Sequence, residues 1–220
     1  MAEPDRLSYE RAAWAHGYRA VTGVDEAGRG ALVGAVVAAA VVWRQGVQIH
    51  GVRDSKQLTP EARERIYRRI VDTLPVGVGV VGPRAIEAIN IKQAARLAMR
   101  RAVLALSERP DWLLVDAERV PLDLPQEAIV RGDDLSRAIG AASIVAKVTR
   151  DRMCTHWHRR HPEYGIDRHK GYATAEHVAA IRRFGPSPLH RATFLGRILG
   201  GPAGVEGAPA GGEAAAGDAG

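Results

Sequence analysis

From Leu32 to Trp43 the chain runs for twelve residues through Leu, Val, Gly, Ala and Trp alone. Such a run has no polar face to turn toward water, so it reads as a strand covered on both sides. It is too short to cross a membrane, which takes about twenty apolar residues. A strand of this kind belongs inside a sheet with helices on each face. The chain is therefore directed toward an α/β architecture.

Shortly before that run lies Gly23-Val24-Asp25-Glu26-Ala27-Gly28-Arg29-Gly30. Here two adjacent acids close the apolar strand Ala20–Asp25. Paired carboxylates in a low-dielectric site repel, and one is driven to take up a proton. A divalent cation removes that penalty by supplying the missing positive charge. The two glycines let backbone approach a bulky group, and Arg29 suggests that the group is anionic. Metal plus phosphate is the first reading.

The rest of the chain alternates helices and strands. A helix is expected over Arg6–His16 and a third strand around Val47–Val52. Thr59-Pro60-Glu61 starts a helix that runs to about Thr73, with a cap, a proline in the first turn and an acid near the positive end of the dipole. Val76–Val81 reads as a strand. Asn90 caps a helix over Ile91–Ser107 whose apolar side holds Ile91, Ala94, Ala95, Ala98 and Ala102. Trp112–Asp116 and Ala128–Val130 read as strands, and Ser136–His158 and Thr174–Phe184 as helices. The sum is an α/β domain with a mixed central sheet flanked by helices and a C-terminal helical region. Residues 1–19 form a lead, 20–199 the domain and 200–220 a Gly/Ala/Pro/Glu-rich tail expected to be disordered.

Asp25, Glu26, Asp116 and Asp133 share one placement, each at or just beyond the C-terminal end of an apolar strand. Ligands of open α/β sheets bind beyond those ends, so four acids distant in sequence can converge there. Singly, each also fits a helix cap or a turn. An all-oxygen donor set without Cys or His favours Mg²⁺ or Mn²⁺ over zinc.

Composition limits the alternatives. At 220 residues the chain suits one domain. Cys154 is the only cysteine, so there is no internal disulfide and no cysteine zinc site. A reducing cytoplasm is the expected location, with no membrane association. The last 21 residues hold three acids and no Lys or Arg, which leaves +9 on the remainder against +6 for the whole chain. A basic body with acidic strand ends fits a polyanion whose chemistry needs metal. Of the 31 basic residues 27 are Arg, and the four lysines are Lys56, Lys92, Lys147 and Lys170.

With these motifs in order, the chain resembles bacterial ribonuclease HII. The resemblance is carried by Gly23 to Gly30 with Val36-Val37-Ala38-Ala39-Ala40-Val41, by Asp54-Ser55-Lys56, by Leu113-Leu114-Val115-Asp116 and by Arg131-Gly132-Asp133. It continues through Ala141 to Asp151, Tyr164-Gly165, His169-Lys170-Gly171-Tyr172 and Gly185-Pro186-Ser187-Pro188-Leu189-His190-Arg191, covering roughly residues 20 to 195. It implies a ribonuclease H-like fold and endonucleolytic cutting of RNA in RNA–DNA hybrids, including at a single ribonucleotide in duplex DNA. It also implies that Asp25, Glu26, Asp116 and Asp133 are catalytic acids holding two Mg²⁺ or Mn²⁺ ions.

The remaining candidates concern substrate. The resemblance assigns the Gly28-Arg29-Gly30 loop, together with Tyr172, to the ribose of the ribonucleotide; without it, a tight turn and a core aromatic are the plain alternatives. Ser143, Lys147 and Asp151 recur every four residues on one helix face. Lys147 is placed to hold a phosphate beside Ser143, or else to form a surface pair with Asp151. Asp151 is alternatively an acid standing behind the metal ligands. Lys56 is a further phosphate contact, and Lys170 and Arg191 are weaker ones of the same kind. His156, His158 and His161, beside Arg159 and Arg160, read as basic surface.

Some positions depart from the family pattern. Ala117-Glu118 stands where Gly-Asn is usual, so a different turn and an added charge are expected after Asp116. Ala31 and Ala35 replace prolines, and Asp134 follows Asp133. Ala117-Glu118 raises a rival reading, a hybrid-binding protein without catalysis. A P-loop hydrolase is excluded because the Gly28–Gly34 segment lacks the Gly-Lys-Ser/Thr ending. The related ribonuclease HIII is expected to carry an extra N-terminal domain, for which 19 residues leave no room. A monomer is expected, and the sequence leaves open whether the tail recruits a replication partner.

Overall fold

Strand β1 (Val21–Ala27) pairs antiparallel with β2 (Val36–Val42), with Asp25 opposite Ala39. The structure, a computed structural model, describes residues 5–52, 55 and 58–199. Every residue of β2 is buried, as its unbroken apolar sequence requires. Each Val buried there is worth about 1.5–3 kcal/mol relative to exposure. The outer neighbour of β2 is β3 (Val76–Val81), also antiparallel. On the other side β1 pairs in parallel with β4 (Trp112–Asp116), which pairs in parallel with β5 (Gln126–Ile129). The sheet order is β3-β2-β1-β4-β5, mixed as expected.

Helices cover both faces. On one lies α3 (Pro83–Leu104), whose Ala94, Ala95, Ala98, Met99 and Ala102 pack on Val24, Val36, Ala38, Ala40, Leu113 and Val115. On the other lies α5 (Arg137–Arg160), packed with α2 (Pro60–Thr73) over Ala39 and Val41. Contact between α5 and β1 is backbone-close: a Cβ on Gly23 would overlap the main chain of Ala138 and Ile139. The first helix, α1 (Ser8–Ala15), is tied to α5 through the buried Glu10, which accepts hydrogen bonds from Ser136 Oγ (2.6 Å) and Ala138 N (2.8 Å). Burial raises the Glu10 pKa above its ordinary value, against the pull of those donors.

Caps behave as their residue types require. Thr59, Ser136 and Thr174 each accept a backbone N–H at the start of α2, α5 and α7 (Ala175–Phe184). Between α5 and α7 stand a 3₁₀ turn (Pro162–Tyr164) and the short α6 (Ile166–His169), and α8 (Ala192–Leu199) follows α7. Among the described residues no helix is long and apolar enough to cross a membrane.

Three expectations are corrected. Val47–Val52 is not a strand: β1 and β3 already occupy both edges of β2, and Ile49 and Val52 are buried instead as a loop against the α2–α5 layer. The strand expected from Leu32 begins only at Val36. Gly34, at φ +79°, turns the preceding segment out of the sheet, and Val33 there makes an isolated bridge to His190. The helix expected from Ile91 begins at Pro83 and kinks at Asn90 (φ 64°, ψ 164°). Asn90 still caps the second part, accepting from Gln93 N at 3.1 Å. Asp133 stands just beyond the end of β5, as expected, in the four-residue helix α4 (Gly132–Leu135). The tail 200–220 and Lys56 fall outside the described residues.

Candidate active site

The register of β1 and β4 builds the floor of the site. Val24 pairs with Val115, so one step further Asp25 and Asp116 stand on adjacent strands. Strand alternation puts both on the α5 face, Asp25 with Gly23 and Asp116 with Leu114, which packs against Ile139. Glu26 follows at the strand end. The three acids line a cleft of about 230 Å³ together with Ala27, Gly28, Arg29, Gly30, Ser55, Ser143, Lys147 and Tyr172.

The electrostatics of this floor are unfavourable to its own acids. Asp25 is only 6% exposed. Burial first, then the neighbouring Glu26 and Asp116, push its pKa well above the usual carboxylate value, although Ser143 and the Glu26 amide (2.7 Å) hydrogen-bond it. Ser143 has one hydroxyl proton, and giving it to Asp25 leaves its oxygen to accept from Ser55 Oγ at 3.0 Å. Glu26 is also raised, chiefly by burial, with Arg29 opposing and Asp116 and Glu118 adding to the rise. Arg29 Nη1 reaches Glu26 Oε1 at 3.2 Å, while Glu26 Oε2 is buried without a hydrogen-bond partner among the described residues.

A divalent cation fits this arrangement. Its charge would offset the crowding of Asp25, Glu26 and Asp116, and the orphaned Glu26 oxygen is a ready donor. Among the described residues no three groups already stand as a finished ligand set. Glu26 is drawn toward Arg29, and Asp116 Oδ1 accepts the Gly132 amide at 2.8 Å. The carboxylates would turn onto the ion as it enters.

The other expected residues divide. Gly28, Arg29, Gly30, Ser143, Lys147 and Tyr172 meet in the cleft. Tyr172 is 40% exposed, and a Cβ on Gly30 would stand 3.9 Å from its ring, so loop and aromatic face one another. Asp133 is 7% exposed and is not among the residues lining the cleft, although the amide just before it binds Asp116. Lys147 donates to Asp151 at 2.6 Å, so the surface pair forms and Lys147 still borders the cleft. Asp151 does not itself line the cleft: it pairs with Lys147, which does, and its Oδ2 lies 3.7 Å from Arg63 Nη1.

Arg191 is corrected outright: fully buried, it bonds backbone carbonyls and has no route to a phosphate. Lys170 Nζ is likewise engaged by Asp167 O at 2.6 Å. Cys154 is buried with its thiol pKa raised by burial, a poor nucleophile.

Ala117 adopts φ +50°, the left-handed conformation glycine takes most readily, and its amide is held by Ile129 O at 3.0 Å. Ser55, which lines the cleft, and Arg150, which lies against Gly28, stand in motifs of the resemblance but carry no role that the sequence alone assigns.

Comparison with known proteins agrees with this geometry. A family model described as Ribonuclease HII matches residues 22–196. The ribonuclease HII of Alkaliphilus metalliredigens is 48% identical over 202 residues, 89% of this chain and 99% of that one. That of Geobacter sulfurreducens is 50% identical over 196 residues, covering 88% and 90%. The crystal structure of ribonuclease H2 from Pyrococcus horikoshii superposes with a TM-score of 0.66 at 28% identity, covering 79% of this chain and 92% of that one.

Proposed function

Because the chain belongs to the ribonuclease HII family, and is thus a ribonuclease H-type hydrolase, we propose that it cuts RNA within RNA–DNA hybrids and on the 5′ side of single ribonucleotides embedded in duplex DNA. Products are a 3′-hydroxyl and a 5′-phosphate. The cellular roles are removal of misplaced ribonucleotides and of RNA primers, by a monomer in the cytoplasm. One observation carries this reading: Asp25, Glu26 and Asp116 share a cleft with a glycine-flanked loop and a half-exposed tyrosine.

Asp25, Glu26 and Asp116 are the residues proposed to hold two Mg²⁺ or Mn²⁺ ions, with Asp133 completing the set from α4. Bound there, the ions supply the charge that activates a water and stabilises the departing 3′ oxygen. Ser143 orients the Asp25 carboxylate, and Ser55 orients Ser143. Arg29 and Lys147, both on the cleft wall, draw the phosphate backbone toward the acids. The Gly28–Gly30 backbone reads the 2′-hydroxyl, the one group that separates ribose from deoxyribose, and Tyr172 packs on the adjacent sugar.

The test is incubation with Mg²⁺ and, separately, Mn²⁺ on a duplex carrying one ribonucleotide. A nick 5′ to that ribonucleotide supports the proposal. Salt-sensitive binding with no nick in either metal would favour a hybrid-binding protein without catalysis.

A further inference from the structure

Arg150 and Arg191 are both fully buried, and both point their guanidinium groups at main-chain carbonyls. Arg191 donates Nη2 to Gly28 O (2.8 Å), Nη1 to Arg29 O (2.9 Å) and Nε to Gly34 O (3.0 Å). Arg150 donates Nε to Ala35 O (3.2 Å), Nη2 to Val33 O (3.2 Å) and Nη1 to Lys170 O (2.9 Å). Between them the two forks hold five carbonyls from 28 to 35 and one from the segment that carries Tyr172. Burying two adjacent cations is unfavourable: burial, then Arg150, lowers the Arg191 pKa to about 10. A segment that needed only filling would be served by apolar side chains.

We propose that Arg191 and Arg150 are positioning residues that set the ribose-reading edge of the cleft. The inference rests on the function proposed above. A peptide plane fixes its C=O and the following N–H in opposite directions. By gripping the carbonyls of Gly28 and Arg29 from behind, Arg191 therefore aims the N–H groups of Arg29 and Gly30 away from itself, on the side where those residues line the cleft.

Arg150 sets the opposite wall. It lies against Gly28, where any Cβ would overlap its guanidinium, and its Cζ stands 5.6 Å from the Tyr172 ring centroid. Its bond to Lys170 O, with that of Leu32 N to Gly171 O (2.8 Å), fixes the Tyr172 segment to the loop. The spacing between the reading amides and the aromatic is thereby set by two side chains that never touch substrate. A lysine would keep the charge but cannot reach three separated carbonyls.

The experiment measures binding of two duplexes that differ by one 2′-hydroxyl, in an Asp116→Asn background with Mg²⁺ so that nothing is cut. The background protein should bind the ribonucleotide duplex about tenfold tighter than all-DNA, the worth of one or two hydrogen bonds. Adding Arg191→Lys or Arg150→Lys should bring that ratio to within about twofold of unity and leave the all-DNA Kd unchanged, since the phosphate contacts remain. A preserved ratio, or equal weakening of both duplexes, overturns the proposal, because a merely structural arginine would affect both alike. If circular dichroism shows Arg191→Lys unfolded, Arg150→Lys decides. Equal affinity of the background protein for both duplexes would overturn the functional reading itself, and this inference with it.

Discussion

Asp25 within β1 and Asp116 at the end of β4 stand on neighbouring parallel strands, one register step beyond the Val24–Val115 pair, on the face that α5 covers. Everything chemical about the cleft follows from that adjacency. Two carboxylates brought together by a backbone ladder cannot separate without breaking the sheet, so their repulsion is relieved by a proton or by a cation.

Asp116→Asn keeps the volume and the acceptor for the Gly132 amide while removing charge. Cleavage should fall roughly a thousandfold or more, equivalent to about 4 kcal/mol of transition-state stabilisation. Affinity for the ribonucleotide duplex should change by less than about threefold, because phosphate contacts dominate it. Single-turnover rates and anisotropy measure the two; a rate within tenfold of wild type would remove Asp116 from the chemistry.

Ala117 offers a stability test. Its left-handed conformation costs a residue with a Cβ about 1 kcal/mol. Ala117→Gly should therefore stabilise the protein by up to about 1 kcal/mol, a rise of roughly 2–4 °C in Tm for a domain of this size. A drop in Tm would show that the turn is not strained.

The C-terminal histidines should make the protein acid-sensitive. His190 is buried, its Nε2 3.2 Å from that of His177, and burial followed by His177 lowers its pKa from 6.5 to about 4. His177 and His169 shift the same way, mainly through burial. Folded, these rings bind protons less readily than unfolded, so stability is full above pH 6.5 and is lost as pH falls toward 4. For His190 alone the loss approaches about 3 kcal/mol. Urea unfolding of wild type and His190→Gln between those values should show a shallower decline in the variant; parallel curves would contradict the assignment.

Gly23 is predicted to tolerate no side chain. A Cβ there would meet the backbone of Ala138 and Ile139 rather than a flexible side chain. Gly23→Ala should cost about 3 kcal/mol or more by forcing α5 off β1, and the cleavage rate should fall with it, because Ser143 rides on α5 beside Asp25. Wild-type stability in this variant would mean that the helix is not seated as described.

How much of this was legible in the sequence depended on whether the signal was local. Acids closing apolar runs, such as Asp25 and Asp116, and caps such as Thr59 and Asn90, follow from residue type and immediate neighbours. Val47–Val52 looked like a strand because its apolar residues are buried, but burial beneath a helical layer leaves the same trace in composition as burial in a sheet. Asp151 shares the helical row of Ser143, yet two turns along α5 it pairs with Lys147 and Arg63 and does not line the cleft. Arg150 and Arg191 were illegible for a different reason. Their partners are carbonyls up to 163 residues away, and a carbonyl leaves no mark in sequence.

The most direct test of the proposed metal site is anomalous diffraction from a crystal of the protein grown with Mn²⁺. Manganese peaks are expected bounded by Asp25, Glu26 and Asp116, with the Glu26 carboxylate turned from Arg29 onto an ion. Clear density for those three side chains with no manganese between them would contradict the proposed site.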